Sequence, residues 1–74
     1  MPETETLLAQ ILEQQQAKVL RLARELVPGA TEDDLTQPHD FPALVADSVF
    51  NYEDGIAAGL QVALTAVRAA RARA

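Results

Sequence analysis

The residue types best suited to chemistry are gathered in one stretch of this chain. Between Pro28 and Gly55 lie the only His, the only Tyr, both Phe and three of the four Pro residues, and none of the six Lys and Arg residues. Seven of the eleven acids are there as well: Glu32, Asp33, Asp34, Asp40, Asp47, Glu53 and Asp54. His39 and Asp40 are adjacent, and a turn that brought Asp47, Glu53 and Asp54 beside them would assemble one imidazole and several carboxylates, a donor set for a divalent cation. His39 and Asp40 are therefore the metal-ligand candidates. The spacing matches no His-Glu-x-x-His helix, no Glu-x-x-His pair and no Asp-x-Asp-x-Asp-Gly loop.

Each of these residues also has a structural reading. A single His in a loop commonly fills an apolar gap or bonds to backbone, and a site needs convergent partners. Asp33 and Asp34 fall in a helical turn, Asp47 at a cap, and Glu53 and Asp54 early in a helix, positions that favour acids without any catalytic role. With one Ser and one His no Ser-His-Asp set can be assembled, and there is no Gly-rich phosphate loop. No enzyme activity and no cofactor are expected. Phe41 and Tyr52 are the candidates for binding a protein partner, since aromatic side chains are enriched where interfaces hold their energy. They compete with a plainer use, clamping the segment onto the ends of the neighbouring helices.

Composition bounds the remaining options. The chain has 74 residues, a net charge of −5 and no Cys, so thiolate chemistry and disulfide stapling are closed to it. The acidic balance opposes binding to nucleic acid, where Lys and Arg must neutralise phosphates. Arg68, Arg71 and Arg73 read as complements to a helix C-terminus. Met1-Pro2-Glu3-Thr4-Glu5 lacks the basic start and apolar run of a secretory signal, and the apolar stretch Ile56 to Leu60 falls far short of the roughly 20 residues that span a bilayer. A cytoplasmic location and no membrane association are expected.

The elements that must position this segment are helical. From about residue 3 to 27 the residues are strong helix formers with no Gly or Pro, and Leu8, Leu12, Gln15, Val19, Leu22 and Leu26 recur at spacings of 4-3-4-3-4, one seam facing a partner helix. Leu7 and Ile11 widen that seam. Pro28-Gly29 stops the helix. Thr31 and Asp34 then have the spacing of a capping box, and Pro42 can open a further turn through Val45. A second long helix runs from about 48 to 72, capped by Asp47 in preference to Asn51. Its expected seam is Val49, Tyr52, Ile56, Leu60, Ala63 and Val67. Gly55, Gly59 and Ala63 stand four apart, a stripe of small residues that lets another helix come close.

The resulting expectation is an all-α fold: a single helical-hairpin domain over 1–74, two long antiparallel helices joined by a connector with one or two short helical turns, pairing as a dimeric four-helix bundle. The residues assigned to the dimer interface are Leu8, Leu12, Gln15, Val19, Leu22, Gly59 and Ala63, with Gln15 either fixing register or lying in a loosely packed layer. The leading functional expectation is a homodimeric structural or protein-interaction module. The alternatives are a metal-binding protein using His39 and nearby acids, and a small acidic, antitoxin-like regulator of a basic partner.

Overall fold

The computed structural model describes residues 2–73, Pro2 by its backbone alone. Helix α1 (Pro2–Leu26) and helix α3 (Ser48–Arg73) run antiparallel along each other, and between them lie 3-10 turns at Asp34–Thr36 and Pro38–Asp40 and the short helix α2 (Pro42–Val45). No strand occurs among the described residues. The hairpin is long and thin, 44 × 20 × 17 Å, because both helices approach or exceed seven turns and lie side by side.

The sequence signals for element ends operate as expected. Gly29 takes φ +84°, the left-handed conformation that ends α1, and Arg24 Nε donates to the Ala30 carbonyl at 2.8 Å, fastening the chain where it leaves the helix. Thr31 and Asp34 form the reciprocal pair of a capping box: the Thr31 N–H donates to Asp34 Oδ2 at 2.9 Å and the Asp34 N–H to Thr31 Oγ1 at 3.3 Å. The box opens only a single 3-10 turn, because Pro38 lies too close for an α-helix to propagate. Asp47 caps α3 by accepting from the Phe50 N–H at 2.7 Å. Asn51, the less favoured cap, has another use: its Nδ2 donates to the carbonyls of Leu44, Val45 and Asp47, tying the end of α2 to the start of α3.

The core is thin and threads the whole hairpin: Leu12, Val19 and Ala23 from α1, Ala30 and Leu44 from the connector, and Phe50, Ala57 and Leu64 from α3. Phe50 and Leu44 are fully buried. Phe41 and Leu35 pack against this cluster and hold the connector down. The hairpin thus encloses a core of its own, although sequence alone suggests that two bare helices would not.

The inward face of α3 differs from the expected seam. Phe50, Glu53, Ala57 and Leu64 point inward, while Val49, Tyr52, Ile56 and Ala63 are exposed and Leu60 and Val67 lie at the margin. The helix is rotated by about one residue, or 100°, from the periodicity reading. Two physical causes select this arc. It buries Phe50, the largest apolar side chain on α3, under the Asp47 cap, and it places Glu53 where α1 can neutralise it. A charged residue scores as surface in any hydrophobic pattern, so the pattern chose the neighbouring arc.

Two substitutions test this packing. Phe50→Ala is expected to cost about 3–5 kcal/mol, a large share of the roughly 4–11 kcal/mol available to a chain of this length, and to lower the urea midpoint of the helical circular dichroism accordingly. Asp47→Ala is expected to cost about 1 kcal/mol and Asp47→Asn much less, read from urea midpoints. Equal effects from the two Asp47 variants would contradict the capping role.

Candidate functional site

The chemistry-bearing segment does not converge. His39 Nε2 lies 3.6 Å from Asp40 Oδ1, with the two side chains 76% and 56% exposed. Asp47 is engaged in its cap, Glu53 is turned into the hairpin, and Asp54 lines a groove. Among the described residues no group of three or more His, Asp or Glu side chains is placed to hold a metal ion. Phe41 is half-buried against the core, whereas Tyr52 is 70% exposed. Of the two aromatic candidates, then, one clamps the connector and one faces outward.

Glu53 is the centre of the one polar cluster inside the hairpin among the described residues. Lys18 Nζ lies 2.8 Å from Glu53 Oε2, and Gln15 Nε2 donates to the Glu53 carbonyl at 2.9 Å and approaches Oε1 at 3.5 Å. The Glu53 side chain is 8% exposed while that of Lys18 is 48% exposed, so the ammonium reaches in from solvent on its aliphatic stem. The Lys18 hydrogen bond lowers the Glu53 pKa from its ordinary 4.5; partial desolvation opposes the shift, and Gln15 and the Lys18 charge reinforce it. The sequence pattern assigns Gln15 to a dimer seam; in the structure it fixes the register of α1 on α3 within one chain. At the far end Glu5 does similar work with Arg71 Nε at 3.0 Å and Arg68 Nε at 3.9 Å. Antiparallel packing sets the acid-bearing first turn of α1 against the Arg-rich end of α3.

The polar cluster divides the hairpin into two sides. On one side the connector closes against both helices over a groove of about 340 Å³, with Gln16 and Val19 of α1, Glu32 and Thr36 of the connector and Asp54 and Gln61 of α3 along its walls. Burial there pushes the Asp54 pKa up from its ordinary 3.8. On the other side none of the connector residues that line the groove is present, and the connector's last residue, Asp47, is the α3 cap. At 100° per residue, Leu7, Ile11, Lys18 and Leu22 share one arc of α1, and Val49, Glu53, Ile56 and Leu60 share one arc of α3. The Lys18–Glu53 pair joins the two arcs into one face, and a recess lined by Leu22, Glu25, Leu26, Asp47 and Val49 continues it toward the start of α3.

That face is the most distinctive surface of the molecule. Leu7, Ile11, Val49, Tyr52 and Ile56 are between 36% and 70% exposed. Of the residues expected at a dimer interface, Leu12 and Val19 are buried inside the single chain, Leu8 and Leu22 pack half-buried against its core, and Gly59 and Ala63 stand outside. Nothing lies within 4 Å of where a Cβ at Gly55 or Gly59 would be, so neither glycine serves contact between α1 and α3. The face is half legible in the sequence. Its α3 half is the stripe of Val49, Tyr52, Ile56 and Ala63 that periodicity picks out, and its α1 half is the pair Leu7 and Ile11 that widens the first seam.

Comparison with protein-family models, with curated proteins and with solved structures found no match to this chain. No helix among the described residues is long and apolar enough to cross a membrane.

The two perturbed carboxylates make opposite contributions to acid stability. Glu53, with its pKa lowered on folding, stabilises fully above about pH 4.5, and that contribution is lost as pH falls through its lower native value. Asp54, with its pKa raised above 3.8 by burial, costs stability while ionised, and the cost is relieved as pH falls through its native value. Thermal melts across pH 7 to 3 check both signs. Glu53→Gln should be less stable than the parent at pH 7 and lose less on acidification, whereas Asp54→Asn should be more stable at pH 7, with the difference shrinking toward pH 3. Parallel profiles for all three proteins would contradict the assignment.

Proposed function

We propose that this chain is a homodimeric helical module of the cytoplasm, a structural or protein-interaction unit in which two hairpins pair into a four-helix bundle. The observation that carries the reading is the amount of surface a single hairpin leaves uncovered. Its accessible area is 5132 Å², against about 4,450 Å² for a folded monomer of this mass. Its radius of gyration is 14.1 Å, against about 11 Å for a compact chain of this length. The excess of about 700 Å² is close to the roughly 800 Å² each partner contributes to a stable interface. Small chains without disulfides ordinarily complete their cores by association.

The reading gives the conspicuous side chains structural work: Asp34 and Asp47 as caps, Glu53 as a register lock, Phe41 and Phe50 as anchors of the connector and the start of α3. The second copy supplies what one hairpin lacks, an apolar cover for the remaining faces of α1 and α3.

Sedimentation equilibrium at low micromolar concentration tests the proposal. The expected result is a mass of twice the 8.0 kDa chain, with a melting temperature that rises with concentration. A folded monomer whose melting temperature ignores concentration would overturn it.

A further inference from the structure

The geometry points to one particular surface as the place where the second copy docks: the face away from the groove, which carries Leu7, Ile11, Lys18, Val49, Ile56 and Ala63. This inference rests on the dimer reading and specifies it.

Three observations select this face and this occupant. The opposite side is already closed by the connector, and its groove presents the carboxylates of Glu32 and Asp54 beside the apolar Val19, Leu35 and Ala57. Two copies meeting there would set unpaired like charges against each other, which costs affinity. On the face away from the groove the charge at its centre is neutralised internally, Lys18 to Glu53 at 2.8 Å. A chain of net charge −5 can therefore meet itself there without repulsion at the centre of the contact. A two-fold interface must be self-complementary, each patch meeting its own copy, and this face is apolar and neutral at its centre, its acids Glu25 and Asp47 lying at one end in the recess toward the start of α3.

The shape of the face supports the same occupant. Gly59 and Ala63 of α3 are exposed with open space where a Cβ at Gly59 would go, so a neighbouring helix can approach α3 closely beside Ile56. The larger side chains Leu7 and Ile11 stand on α1, 57% and 40% exposed, and offer the relief against which such a helix would pack. The Lys18–Glu53–Gln15 cluster becomes a polar layer within the bundle, with its hydrogen bonds already made inside each chain.

Charge insertion separates this inference from the dimer reading beneath it. Ile56→Glu and Ile11→Glu are expected to weaken self-association at least tenfold while helical circular dichroism is retained. Ala17→Glu and Thr65→Glu, on exposed positions away from the face, are expected to leave it unchanged. Weakening by the second pair and not the first would overturn the face and leave the dimer standing, whereas a monomeric parent protein would overturn the dimer itself. Should the Glu variants unfold, single cysteines provide the second measurement, since the chain has none of its own. The thiol of Ala63→Cys should react at least tenfold more slowly at concentrations where the parent is dimeric than where it is dilute, and that of Ala17→Cys equally fast at both. Equal protection of the two thiols, or protection of Ala17→Cys alone, would overturn the inference.

Discussion

The structure depends on how one carboxylate is accommodated between two helices. Glu53 lies on the inward face of α3 and is held by Lys18 and Gln15 of α1 at 2.8 and 2.9 Å, the second bond to its backbone carbonyl. An ionised carboxylate removed from solvent is costly unless it is paired, so the rotation that turns Glu53 inward is favoured where Lys18 reaches its carboxylate and Gln15 its carbonyl. That condition sets the register of the hairpin near its middle. Glu5 with Arg68 and Arg71 sets it at one end, and the buried Phe50 beneath the Asp47 cap sets it at the other.

Once rotation is fixed, the fate of every other apolar side chain on α3 is determined. Ala57 and Leu64 turn inward with Phe50 and meet Leu12, Val19 and Ala23. Val49, Tyr52 and Ile56 are then left 57%, 70% and 36% exposed. The connector covers the other side, where Glu32, Leu35 and Thr36 line the groove together with both long helices. The apolar face is thus a consequence of the polar lock and the connector route together. A second copy is the simplest cover, and the polar lock would then serve two purposes: register inside the chain and local neutrality at the contact between chains.

Much of this is legible in the residues. Helix ends announce themselves through Gly29, the Thr31–Asp34 box, Pro42 and Asp47, because each acts through local backbone chemistry that neighbours in sequence determine. The inward face of α3 is not legible. Its Ala-rich sequence supports two apolar arcs about 100° apart, and the arc that wins contains Glu53, a residue no hydrophobic pattern would place inside. The presence of Lys18 and Gln15 opposite it, the latter 38 positions away in sequence, together with the burial of Phe50, decides the matter. The uses of Gln15 and Asn51 are hidden for the same reason, since each is defined by carbonyl groups that tertiary folding brings within reach. His39 and Asp40 suggest chemistry by their types alone, and their exposed placement beside each other leaves that suggestion without the convergence a site requires.

The face assigned to the second copy holds both isoleucines of the chain, Ile11 and Ile56, which makes it accessible to a direct spectroscopic reading. In a mixture of chains labelled at the isoleucine methyl groups with unlabelled chains, isotope-filtered nuclear Overhauser spectra record only contacts that cross between copies. Strong intermolecular contacts from the methyl groups of Ile11 and Ile56 to aliphatic protons of the other chain are the predicted result. Their absence at a concentration where sedimentation shows a dimer would contradict the proposed face.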